Sequence, residues 1–152
     1  MSELQRPSDF FSSSEIDQLR EISDWRAAAS VAHCWSVILL TWVVVSIWTN
    51  PLTVLLGIMI IGTRQLGLFV LTHDASHMAL FSNRKLNDWV AQWVLNRPHT
   101  DASIDVYRRY HIQHHLHTQQ SDDPDLALSA PFPISKKSLR RKFIRDLTGQ
   151  TG

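Results

Sequence analysis

Six of the eight histidines fall in two short stretches. "LTHDASHMALF", residues 71–81, holds His73 and His77 four residues apart, and "YRRYHIQHHLH", residues 107–117, holds His111, His114, His115 and His117. On a helix, residues three or four apart are neighbours on one face. His73 and His77 therefore converge, and so do His111, His114 and His115. Neutral imidazole is the commonest metal ligand, so the chemistry these groups offer is metal coordination. Alone, H-x-x-x-H is a weak signal and H-x-x-H-H a moderate one; together they are strong. The spacing predicts that Ile104, Tyr107, His111 and His114 form an inward stripe, with Arg108 and Arg109 turned away. No catalytic residue beyond the metal ligands stands out.

The other polar residues narrow the reading. Cys34 is the only cysteine, which excludes an intramolecular disulfide and zinc sites built on two or more cysteines of one chain. Asp74 and Asp105 could hold the second ring nitrogen of a ligand histidine, or could be solvated or capping carboxylates. His117 points about 200° away from His115 and reads as a surface group or an outer partner of the centre. His99, in a loop that contains proline, and His33, near the start of an apolar stretch, read as structural. A net charge of +1 does not point to nucleic acid.

These histidines need elements to position them, and the predicted class is all-α. Residues 27–63 contain no Asp, Glu, Lys or Arg. A bilayer core of about 30 Å needs only about 20 helical residues, so this run is too long for one span. Asn50 and Pro51 break it, which predicts a transmembrane hairpin with arms at 27–49 and 52–72. A buried helix of a soluble bundle would show a polar stripe, and "SVILLTWVVVSIW" shows none. Trp25, Trp35 and Trp48 lie towards the ends of the first arm, where indoles favour the membrane interface. Basic residues flank the hairpin and its turn is uncharged, which predicts an integral membrane protein with both termini of this segment cytoplasmic. Arg64 lies about 180° from His73 and should face another helix or reach for the interface.

Around the hairpin, Ser12 and Glu15 predict a capped helix in "SSSEIDQLREI". "NDWVAQWVLN" reads as a short amphipathic helix, 101–116 as a longer one, and "QQSDDPD" as a polar turn. In "ISKKSLRRKFIRDL", Leu139, Phe143 and Leu147 form one stripe among basic residues, as in an interfacial helix on anionic lipid. The expected organisation is a cytoplasmic segment at 1–26, the hairpin at 27–72, a histidine-box region at 73–126 and a basic interfacial tail at 127–152.

With the hairpin, "THDASH", "YRRYHIQHH" and the following "DPDL" in view, residues 27–126 resemble the membrane-bound fatty acid desaturase and hydroxylase superfamily. That resemblance implies a centre of two non-haem iron ions that uses dioxygen and two electrons to attack C–H bonds of a lipid acyl chain. It implies His73, His77, His111, His114 and His115 as iron ligands, and a ferredoxin or small cytochrome with its reductase as electron donor. The Glu-x-x-His pairs of soluble di-iron bundles are absent. The family carries a third histidine box after a second hairpin, and this sequence has neither, so the resemblance implies an N-terminal portion that does not turn over alone. Hydroxylation or ketolation of a lipid or carotenoid stays open as the reaction. So does a non-enzymatic membrane protein that holds one metal ion.

Overall fold

The computed structural model describes residues 6–98 and 100–150, so His99 lies outside them. Among the described residues there is no strand, as the all-α reading requires. The helices are α1 (Ser13–Leu19), α2 (Asp24–Ile47), α3 (Pro51–Ser76), α4 (Arg84–Val90), α5 (Ile104–His117), α6 (Leu126–Ser129) and α7 (Lys136–Leu147). A π-helical turn, Ala91–Asn96, continues α4. The chain forms two compact units, one up to Arg108 and one from Arg109, so the second begins within α5.

In the first unit, α1 starts at the expected capping box: Ser12 Oγ accepts from the Glu15 N–H, and Glu15 accepts from the Ser12 N–H at 2.8 Å. The hairpin turns where expected. Asn50 Oδ1 accepts from the N–H groups of Leu52 and Thr53, both at 3.1 Å, and Pro51 occupies the first helical position, where its missing N–H is harmless. α2 and α3 pack closely because small residues line the seam. A Cβ on Gly57 would lie 2.8 Å from Val45 Cγ2, and one on Gly67 would lie 3.1 Å from Cys34 Sγ.

Only 11% of each apolar stretch in α2 and α3 is buried within the protein. Leu39, Leu40, Trp42, Leu55, Ile58 and Met59 all point outward. Both helices are long and apolar enough to cross a membrane, and so much exposed apolar surface is stable against lipid but not against water.

The buried core sits at the far end of α3, where Leu68, Ala75, Ala91 and Leu95 are fully enclosed. Buried Asn87 ties this end together: its Nδ2 donates to the Ala75 carbonyl at 2.9 Å, and its Oδ1 accepts from the Phe81 N–H at 3.3 Å. Trp35 departs from the interfacial expectation. Its indole N–H donates to the Val94 carbonyl at 3.2 Å, so it fastens α2 to the π-helical turn. Trp25 and Trp48 remain exposed. Helix α5 begins at Ile104, three residues later than expected, because Ser103 Oγ caps it by accepting from the Val106 N–H at 3.2 Å.

In the second unit, residues 118–125 fold into a turn, with Gln119 in the left-handed region at φ 63°. α7 forms where the tail predicted a helix, capped by Ser135, and buries none of its residues.

Candidate metal centre

In the first unit, the last turn of α3 carries His73, and His77 is its C-cap. The position of His77 is set by a Schellman closure: the Met78 N–H donates to the Ala75 carbonyl and the Ala79 N–H to the Asp74 carbonyl, both at 3.0 Å, with Met78 at φ 58°. The His73 and His77 rings meet edge to face, with centroids 4.8 Å apart. Asp74 Oδ1 lies 3.2 Å from His73 Nδ1. Asp105 instead receives Arg108 Nη1 at 2.9 Å.

Arg108 corrects the sequence reading. It was expected to turn away, yet its side chain is only 14% exposed, and its Nε donates to the Ser76 carbonyl at 3.0 Å. Its Nη2 reaches Asp88 and the Ala75 carbonyl. Four residues separate Arg108 from buried Ile104, which puts the two within about 40° on the helix. One guanidinium therefore fastens the start of α5 to the end of α3 and to α4. Tyr107 adds an edge contact to the Phe69 ring at 5.8 Å.

In the second unit, α5 carries the other box. His111 Nε2 and His115 Nε2 face each other at 2.9 Å. At that separation at most one of the two nitrogens carries the proton of the contact, and the other offers it a lone pair. The His114 ring lies 6.2 Å from His111 and 5.7 Å from His115, centroid to centroid. His117 is half-buried in the last turn.

The residue that sequence reasoning missed is Asp123. It is buried, with 5% exposure, and accepts from His114 Nδ1, the Gln119 N–H and the Asp125 N–H, each at 2.8 Å. Burial works to raise its pKa, but the hydrogen bonds from His114 and the two amides outweigh this and lower it. The same hydrogen bond to Asp123 raises the pKa of His114 against its partial desolvation. Asp125 accepts from the Tyr110 hydroxyl at 2.6 Å, which raises the pKa of that phenol. The visible sign of this arrangement was "DPDL", whose first aspartate is Asp123.

Both histidine sets lie within residues 48–152, and those residues match the family model described as fatty acid desaturase. The chain belongs to the fatty acid desaturase family. No curated protein and no solved structure gave a match. The match starts at the end of α2 and runs through α7.

The desaturase family implies iron, and the donors suit it. Imidazole is an appropriate ligand for iron, and a ligand histidine commonly donates its other N–H to a carboxylate. His114 has such a partner in Asp123, and His73 lies beside Asp74. The residues present therefore fit a metal of this class.

Proposed function

We propose that this membrane protein takes part in the dioxygen-dependent desaturation of a lipid acyl chain, with His73, His77, His111, His114 and His115 as ligands of a shared iron centre. The observation that carries the reading is the second box inside the matched region. There His114 is fixed by a buried carboxylate, and His111 and His115 turn ring nitrogens towards each other. Joining the two boxes is supported by the family match, which covers both.

In the reaction, two adjacent methylenes lose two hydrogens and become a double bond, while dioxygen is reduced to two waters. The balance needs two electrons and two protons beyond those from the chain, and a small ferredoxin or cytochrome with its reductase would supply the electrons. Bound iron would supply the activation of dioxygen. The protein's own residues hold the ligands: Asp123 keeps the His114 Nδ1 proton engaged and leaves Nε2 for the metal, and the Schellman closure holds His77. The apolar hairpin would keep the centre at the membrane surface, next to its substrate.

The test is an acyl-chain profile of membranes from cells whose own gene carries His114→Ala, fed a deuterated saturated fatty acid. The expected result is the loss of one unsaturated species that lacks two deuteriums in the parent. Loss of an oxygen-bearing species instead would assign the reaction to hydroxylation, and an unchanged profile would contradict both.

A further inference from the structure

Helix α7 is amphipathic, and it faces the opposite way to a helix packed on a water-soluble core. Leu139, Phe143 and Leu147 stand four residues apart, so they fall within about 80° of one another on the helix surface. All three are exposed, Phe143 by 57% and Leu147 by 86%. Arg141 and Arg145 lie about 160° from Phe143 on the helix. There they line a groove of about 650 Å³ with Leu128, Pro131 and Phe132, from α6 and the segment that follows it. The helix thus turns cations towards its own unit and its apolar stripe outward. A core-packed helix would do the reverse.

The charge of α7 is as one-sided as its apolar stripe. It holds Lys136, Lys137, Arg140, Arg141, Lys142 and Arg145 against one acid, Asp146, in a chain whose net charge is only +1. Lys142 Nζ meets Asp146 at 2.7 Å, so that acid is already paired within the helix. Lys136 and Arg140 lie about 20° and 60° from Phe143, on the side of the stripe itself. Their aliphatic stems can run beside the stripe while the charged ends reach its rim. An apolar stripe rimmed by cations is complementary to a bilayer whose anionic headgroups overlie its acyl chains.

We propose that α7 lies flat on an anionic phospholipid surface, with Leu139, Phe143 and Leu147 below the headgroups and Lys136, Lys137 and Arg140 on their phosphates. The same chain carries two helices long and apolar enough to cross a membrane, so it brings its own bilayer. Phospholipid here is a surface and not a substrate, and the contact involves no metal.

The test uses the full chain in a Cys34→Ala background, with an environment-sensitive fluorophore on Leu147→Cys or, on the opposite face, on Arg141→Cys. Each is reconstituted into phosphatidylcholine alone or mixed with phosphatidylglycerol. The Leu147 label should shift to the blue in the anionic bilayer and return to its aqueous position in phosphatidylcholine alone or in high salt, while the Arg141 label stays in water throughout. Lys136→Gln and Lys137→Gln should each lower the ratio of docked to free helix by about fivefold. Lys136→Arg and Lys137→Arg keep the charge and should dock as the parent does. A Leu147 label that stays in water on the anionic bilayer would overturn the proposal. So would a shift of the same size in phosphatidylcholine alone, which would mean that another part of the chain or a second copy covers the stripe.

Discussion

His114 Nδ1 donates to Asp123 Oδ1 at 2.8 Å, and the acceptor is almost wholly buried. A carboxylate accepts only, so in the neutral ring the proton sits on Nδ1 and Nε2 carries the lone pair. Removing such an outer partner typically costs 10–100-fold in metal affinity (order of magnitude, roughly). Asp123→Ala should therefore weaken metal binding by about that factor, and Asp123→Asn, which still offers a carbonyl to Nδ1, by less. Titration of the purified chain with cobalt(II) would show this, and equal affinities in all three proteins would dismiss Asp123 as a positioning residue.

The hairpin seam gives a matched pair of substitutions. Gly57→Ala places a methyl 2.8 Å from Val45 Cγ2 and should destabilise the α2/α3 packing by about 1–3 kcal/mol, with partial recovery in the Gly57→Ala, Val45→Ala double variant. Gly62 has open space around its missing Cβ, so Gly62→Ala should be neutral or stabilising by up to about 1 kcal/mol. Unfolding of the hairpin in mixed micelles measures both.

Arg108 makes its contacts through separate nitrogens, to Ser76, Asp105 and Asp88. A lysine offers a point charge in place of that fork. Arg108→Met should lower stability by about 1–3 kcal/mol, and Arg108→Lys should restore little of it. Thermal unfolding followed by circular dichroism distinguishes this from a surface arginine, whose loss would leave the midpoint unchanged.

What could be read from the sequence was what local patterns encode. The charge-free run gave the hairpin, Asn50 and Pro51 its turn, and Ser12 with Glu15 the start of α1. The two histidine boxes were legible because helical spacing alone groups their members. The misses are contacts over long chain distances. Trp35 bonds to Val94, and Arg108 to Ser76, because of packing that no local period records. The stripe through Tyr107 points away from Arg108, whereas the four-residue spacing from Ile104 puts Arg108 on the packed face. Asp123 lies in a stretch whose local pattern is that of a polar turn. Its role depends on residues 118–125 folding back so that a carboxylate nine positions on meets His114.

The flanking charges predict that both ends of this segment are cytoplasmic. In a Cys34→Ala background, a cysteine placed at Asn50 should react with a membrane-impermeant maleimide only from the non-cytoplasmic side. Labelling from the cytoplasmic side alone would reverse the arrangement.

A metal centre shared by the two boxes, as proposed, would show in the iron content per chain of the purified full-length protein in wild-type and variant forms. His77→Ala, in the first box, and His111→Ala, in the second, should each lower bound iron markedly. His33→Ala, which touches Arg64 and neither box, should leave it near the wild-type level. Iron retained at the wild-type level in both His77→Ala and His111→Ala would contradict a centre shared by the two boxes.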